Sequence, residues 1–340
     1  MSNVNIKRLA AELNLSISTV SRALQNSSEI GQKTKERVVA LAKKLNYQPN
    51  HYAAGLRRKQ SNTIAVVVPE VADNFFSLVI DGIDKVAQTK GYHVLIFLTR
   101  DDYNKEVGFI RHIQSGRVDG VLISVSSESK DNEHLHELNK KSIPVVFFDR
   151  VFEDIPTAKI TTDDYKASYK ATKQLIDSGC KKIACLAIPE TLLISRKRVQ
   201  GYMDALEDNG LIVDTDLVIH FDTNDETIIY PIIRDFIDKN RPDGLFSSIE
   251  KLALLTYQSC ASLKINIPND LKIISFSSLK IAPLLQPPLS TITQPAFDMG
   301  KAAAEILFKA LEDGKSDLKD DHIEMESEIV IRESSRDINN

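Results

Sequence analysis

The stretch Ile6-Lys7-Arg8-Leu9-Ala10-Ala11-Glu12-Leu13-Asn14-Leu15-Ser16-Ile17-Ser18-Thr19-Val20-Ser21-Arg22 organises the whole reading of this chain. Apolar Ile6, Leu9, Ala10 and Leu13 recur at the spacing of one helical face, and a short turn at Asn14 to Ser16 restarts the helix. The pattern predicts a helix-turn-helix. In that unit the second helix offers its start and outward face to the major groove of a duplex, here Ile17, Ser18 and Arg22. Ser16 is placed to accept from a backbone N–H of the first turn, while Thr19 and Ser21 are placed to reach phosphate. Val20 and Leu24 point back at the first helix, and Ala10 keeps that contact close. Taken without its surroundings, the segment also fits a plain helical hairpin with a solvated charged face.

Working outward, a third helix is expected from Gln32 to Leu45, with Val38, Leu41, Ala42 and Leu45 on its buried stripe. Tyr47-Gln48-Pro49-Asn50 should end it, because proline disfavours a helical residue before it. The segment Asn50 to Lys59 is too short for a stable isolated helix and contains Gly55, so it should order only when docked.

Charge separates this head from the rest. Residues 1–60 hold eleven basic and three acidic side chains, a net of +8, within a chain whose overall charge is −4, so the other 280 residues carry −12. A basic head on an acidic body is the footprint of a protein whose head alone meets phosphate. At 340 residues and 42% hydrophobic content the chain can fill two or three cores. Cys180, Cys185 and Cys260 show no metal-ligand spacing and read as buried thiols of a reducing cytoplasm. No apolar run approaches a membrane span, and Met1 to Ala11 lacks the apolar stretch of a secretory signal, so a cytoplasmic location is expected.

After Asn62 strand and helix alternate. Strands are expected at Ile64 to Val68, Val94 to Phe97, Gly120 to Val125 and Val145 to Phe148, with helices at Phe75 to Lys90, Lys105 to Ser115 and Asn132 to Lys141. A comparable series follows, with a helix at Tyr165 to Ser178 and strands near Ile183 to Ile188, Val218 to Phe221, Gly244 to Phe246 and Ile273 to Phe276. That order predicts two similar α/β lobes, each a doubly wound parallel sheet. Ligands of such sheets sit outside the carboxyl ends of the strands. The loops there hold Asp73-Asn74-Phe75-Phe76, Thr99-Arg100-Asp101, Asp149-Arg150, Thr161 to Asp164, Ser195 to Arg198, Ser248 to Glu250 and Ser275 to Ser278. Carboxylates, arginines and aromatic rings converging on one cleft suit a small polyhydroxylated or heteroaromatic ligand. The bland alternative is an Asp149–Arg150 structural ion pair with Phe75 and Phe76 in the core.

The chain resembles the lac repressor and galactose repressor family of transcription regulators. The resemblance rests on Ser18-Thr19-Val20-Ser21-Arg22-Ala23-Leu24-Gln25-Asn26, Leu45-Asn46-Tyr47-Gln48-Pro49-Asn50, Ala53-Ala54-Gly55-Leu56-Arg57 and Asn62-Thr63-Ile64. Further matches are Val118-Asp119-Gly120-Val121, Ile143 to Arg150 and Pro287 to Pro295. It implies an all-α helix-turn-helix domain over 1–49, a hinge helix and linker over 50–61, and a periplasmic-binding-protein-like body over 62–340. One lobe of that body is expected at 62–161 with 293–323, the other at 162–292 with 324–340. It further implies a homodimer on double-stranded operator DNA, with repression controlled by a small-molecule effector such as a sugar or related metabolite. DNA contact is implied for Asn5, Ile6, Ser16, Ile17, Ser18, Thr19, Ser21, Arg22 and Asn26, and for the hinge residues Asn50, Ala53, Leu56, Arg57 and Lys59, with Leu56 wedged between base pairs. Effector contact is implied for Phe75, Asp149 and Arg198, and the cleft set is completed by Asn74, Phe76, Arg150, Ser195, Glu250 and Ser277. Two departures stand out: Ser275-Phe276-Ser277 where the family has Gly-Tyr-Asp, and Ile249-Glu250 where Asn-Asp is usual.

Enzyme signatures are missing. Val68 is followed by Pro69-Glu70-Val71-Ala72-Asp73, with no glycine to let backbone approach a dinucleotide pyrophosphate. His134-Leu135-His136-Glu137 lacks zincin spacing and reads as a solvated helix face. No cofactor, metal or membrane partner is expected, and no catalysis. A secreted sugar-binding module would match the body but leaves the basic head unexplained. The end of the chain shows no added heptad segment, so a dimer is expected to be the whole assembly.

Overall fold

A computed structural model describes residues 5–24, 26–45, 47, 61–114, 117–127, 131–316, 318 and 322–336. The chain divides into two compact units, Met1–Ser61 and Asn62–Asn340.

The head contains helices α1 (Ile6–Leu13), α2 (Ile17–Leu24) and α3 (Gln32–Lys44). Asn5 caps α1 by accepting from the Arg8 backbone N–H at 3.1 Å, and Asn14 ends it in the left-handed region at φ 57°. Ser16 Oγ accepts from the Thr19 N–H at 3.1 Å, the cap expected for α2. The apolar faces then meet in a small core of Leu9, Ala10, Val20, Ala23, Val38 and Ala42, all buried.

The body holds two six-stranded sheets. The first is built from β1 (Thr63–Val68), β2 (His93–Leu98), β3 (Gly120–Ile123), β4 (Val145–Phe148), β5 (Ala158–Thr162) and β11 (His322–Met325), in the order β11-β5-β4-β3-β1-β2. The second uses β6 (Ile183–Ala187), β7 (Val218–His220), β8 (Gly244–Ser247), β9 (Lys272–Phe276), β10 (Ser290–Thr293) and β12 (Glu328–Val330), in the order β12-β10-β9-β8-β6-β7. Both wind outward in two directions from their first strand, so each has a crevice where the order reverses. Ile64 to Val68 are wholly inaccessible, which explains their unbroken apolar run: a parallel strand covered on both faces has no polar side to alternate with.

Helices cover the sheets: α4 (Asn74–Thr89), α5 (Tyr103–Ile113), α6 (Glu133–Lys140) and α11 (Ala296–Asp313) on the first, α7 (Asp164–Asp177), α8 (Leu193–Asp208), α9 (Glu226–Asn240) and α10 (Glu250–Leu263) on the second. Two pairs pack backbone to backbone. A Cβ on Gly300 of α11 would lie 2.0 Å from the Val79 carbonyl oxygen of α4, and one on Gly201 of α8 would lie 2.3 Å from that of Tyr165 in α7.

The chain passes between the lobes after β5, after β10 and after β11. Thr162 still pairs with Met325, and Thr293 with Glu328, so each passage falls one or two residues later than the sequence boundaries 161/162, 292/293 and 323/324. Apolar periodicity marks strand centres, whereas hydrogen-bond register sets the ends. One strand departs from the parallel expectation. β12 runs antiparallel to β10 because only Glu326 and Ser327 separate it from β11. Without an intervening helix the chain enters the second sheet from the carboxyl side and must run back.

The segment at His134 also differs from its expected solvated face. His134 is 6% exposed, and its Nε2 lies 2.8 Å from Oε1 of the fully buried Glu106. The charged pattern of the helix hid this because the partner lies 28 residues earlier. All three cysteines are buried and free, as the sequence predicts.

Candidate functional site

Two places gather the polar side chains singled out by the sequence: the outer face of α2 and the cleft between the body lobes. On α2, Val20 and Ala23 are buried while Ile17, Ser18 and Arg22 are exposed. Ser16, Ser18 and Thr19 form a hydroxyl cluster at its start, with Ser16 Oγ 2.7 and 2.8 Å from the other two hydroxyls. Arg22 meets Glu29 at 2.7 Å, both well exposed. Asn5 is exposed as the α1 cap, and Ile6 and Ser21 are half-buried. Asn26 adopts φ 55° after α2 and its Oδ1 accepts from Lys35 Nζ at 2.9 Å, a loop-fixing role. Asn50, Ala53, Leu56, Arg57 and Lys59 lie outside the described residues.

In the body the strand-end loops of both lobes face one another. Arg198, on the first turns of α8, is only 2% exposed. Its Nε and Nη2 lie 2.8 and 2.7 Å from Asp164 Oδ1, its Nη1 donates to the Ser248 carbonyl at 2.6 Å, and its guanidinium stacks 3.7 Å over the Phe276 ring. Arg150 pairs with Asp101 rather than with its neighbour, since Asp149 Oδ2 stands 4.0 Å from the Arg150 Nε. Asp101 also accepts from the Ser127 N–H at 2.9 Å and from Asn224 Nδ2 across the cleft. Burial opposes its ionisation, yet Arg150 and these donors hold its carboxyl below the usual range. Asp149 is different. Burial pushes it up to about 6 against the pull of Arg198 and Arg150, and its Oδ2 is met by the Ser124 hydroxyl at 3.4 Å. Asp73, which caps α4 through the Phe75 N–H at 2.7 Å, is likewise raised by burial to about 6.

The open space is not where most of the expected ligand residues lie. Around Phe75, Phe76, Asp149, Arg198, Glu250 and Ser277 only about 40 Å³ remains. Beside it, a cavity of about 280 Å³ opens between Arg100, Asp101, Ser127 and Arg150 of the first lobe and Phe221, Asp222, Thr223, Asn224, Asp225, Ile249 and Lys251 of the second. Arg150 lines both. Ser195 lines neither: it is fully buried and its hydroxyl donates to the Ile188 carbonyl at 2.7 Å, so its expected place in the cleft is corrected to a packing role between α8 and the end of β6. Phe75 and Phe76 belong to the first lobe's core and show the cleft one edge.

Residues 61–328 match the family model for periplasmic binding proteins and the sugar binding domain of the LacI family, and residues 5–50 match that for bacterial regulatory proteins of the lacI family. The chain belongs to the LacI family. It is 30% identical to the HTH-type transcriptional repressor PurR of Photobacterium profundum over 98% of this chain and 99% of the relative. It is 27% identical to catabolite control protein A of Priestia megaterium over 98% and 100%. In fold it is similar to the lac repressor dimer bound to operator and the anti-inducer ONPF, with a TM-score of 0.84 at 20% identity over 98% of this chain and all of that one. This LacI-family member is therefore a DNA-binding transcriptional regulator with an effector-type second domain.

Several cleft residues of the regulator escaped the sequence reading. Phe221 to Asp225 follow β7, so the rule that ligands sit beyond strand ends pointed at them, but β7 spans three half-buried residues and gave a weak strand signal. Asn224, and the Lys251–Glu70 contact at 3.3 Å between lobes, had no local signal. Among the described residues no helix is long and apolar enough to cross a membrane, and no group of three His, Cys, Asp or Glu side chains is arranged to hold a metal ion.

Proposed function

We propose that this regulator is a dimeric repressor whose operator affinity is set by a compact polar metabolite, a sugar or related molecule, held in the cavity beside Arg150. The observation carrying the reading is the division of labour along α2: Val20 and Ala23 are taken up by the head's core, while Ile17, Ser18 and Arg22 stay exposed, where base edges can compete for Arg22 with its surface partner Glu29. Ser16, Thr19 and Ser21, with Asn5 and Ile6 at the start of α1, then serve the phosphate backbone.

The effector cavity of about 280 Å³ lies near the lower end of small-molecule sites and favours a compact ligand. Arg100, exposed and tied by its backbone N–H to the Pro69 carbonyl at 2.9 Å, stands at its rim. Asp101, Arg150, Asn224 and Lys251 supply polar contacts from both lobes, so a ligand there would bias how the lobes meet. These groups bind rather than catalyse, and the protein acts in the cytoplasm with its DNA. Leu95 and Ile96, each 41% exposed on the edge strand β2, support a dimer, because an uncovered apolar sheet edge invites a partner.

The test is a duplex selected from a random pool and a scrambled control. Arg22→Ala should weaken the selected duplex by roughly tenfold or more and leave the scrambled one within about twofold. Equal losses on both would refute base reading by α2.

A further inference from the structure

Glu250 is the first residue of α10, and its carboxylate reaches both lobes. Its Oε1 accepts from Asn74 Nδ2 of the first lobe at 2.8 Å, and its Oε2 accepts from the Ser277 hydroxyl of the second at 2.8 Å. The residue is 9% exposed; the space it shares with Asp149, Arg198 and Ser277 is only about 40 Å³, and it also borders a separate cavity of about 300 Å³ lined by Glu70, Asp73 and Lys251. A polyhydroxylated effector would hold two lobes together by accepting from one and donating to the other. Here a side chain of the protein already joins the two, accepting from each through charge-assisted bonds at the positive end of a helix. The two departures of the sequence from its family, Glu250 and Ser277, turn out to be hydrogen-bonded to one another.

We propose that Glu250 is a built-in bridge that holds the cleft closed without effector, so that the ligand-free regulator rests in the closed arrangement. The proposal rests on the reading of this cleft as the effector site. Three other contacts act in the same sense: Asn224 to Asp101, Lys251 to Glu70 at 3.3 Å and Thr191 to the Ser127 carbonyl at 3.0 Å. Glu250 is the only one of these bridging groups seated in the filled half of the cleft, so a metabolite entering the open half leaves it in place. Effector action is then a shift away from a closed state that already exists, by no more than the ligand's differential affinity.

The test uses full-length protein dialysed free of small molecules, compared by small-angle scattering and amide exchange as wild type, Glu250→Gln, Glu250→Ala, Asn74→Ala and the double alanine variant. Glu250→Gln should match wild type, since its amide oxygen still accepts from Asn74 and its amide nitrogen can donate to Ser277. Glu250→Ala and Asn74→Ala should each enlarge the radius of gyration and speed exchange at 75–77 and 277–279 by roughly tenfold or more, and the double variant should go no further than the larger single one. Should Glu250→Ala not fold, Asn74→Ala, at a half-exposed helix start, tests the same bridge from its other end. Wild-type scattering and exchange equal to those of a folded alanine variant would overturn the bridge. A thermal-shift screen of wild type against sugars, sugar phosphates and nucleobases separates the two ideas. No ligand found with the bridge behaviour intact defeats only the effector reading, while ligands found with alanine variants unchanged defeat only the bridge.

Discussion

Asp149 is a buried carboxylate held close to two guanidiniums but fully paired with neither, the nearest nitrogen being 4.0 Å away. Its folded-state pKa of about 6 lies above that of an unfolded aspartate, so the folded state binds the proton more tightly. The sign follows by linkage: its contribution to stability is present in acid and is lost as pH rises through 6, a penalty of roughly 3 kcal/mol at neutral pH. Asp73 acts in the same direction and Asp101 in the opposite one, so only a comparison of variants isolates the effect. Asp149→Asn is expected to be more stable than wild type at pH 7.5, with the gain fading towards pH 4.5, as read from urea unfolding at a series of pH values. A constant difference across that range would mean that Asp149 is already compensated.

At the scale of elements the lobes depend on helices that touch through their backbones. Gly300 of α11 leaves no room for a methyl group against the Val79 carbonyl, whereas Gly108 in the middle of α5 has nothing within 4 Å of where its Cβ would stand. The same substitution should therefore have opposite signs. Gly300→Ala is expected to cost about 2 kcal/mol or more by forcing α4 and α11 apart, and Gly108→Ala to add roughly 0.5–1 kcal/mol through helix propensity. Thermal unfolding of both variants checks this, and a neutral Gly300→Ala would show that the helix pair can slide. The helices themselves were legible in the sequence. The close approach was not, because a glycine within an apolar helical stripe looks the same whether it faces solvent or another backbone.

For the whole molecule the decisive asymmetry is electrostatic. The net +8 of residues 1–60 and the −12 of the remainder leave phosphate contact to one end of the chain. Neutralising about six phosphates releases enough counterion for duplex affinity to fall roughly a thousandfold between 50 and 200 mM salt. Fluorescence anisotropy over that range should show such a slope for the selected and scrambled duplexes alike, with specificity appearing as an offset between two near-parallel lines. A flat salt response would contradict phosphate-led binding by the head.

The helix-turn-helix, the Ser16 cap, the buried strands and the strand-end loops were all readable from residue order, because apolar periodicity and capping are local properties that a few neighbours specify. Family membership was legible for the same reason, its motifs being short and in order along the chain. What the loops do once assembled was decided only in three dimensions. Arg150 chooses Asp101, 49 residues away, over its neighbour Asp149, and Arg198 takes Asp164 while stacking on Phe276. His134 finds Glu106, and Glu250 joins Asn74 of one lobe to Ser277 of the other. A charge's partner depends on distance and exclusion of water, and both arise from how whole lobes dock, so no local pattern could have shown that half of the expected ligand site is filled by the protein itself.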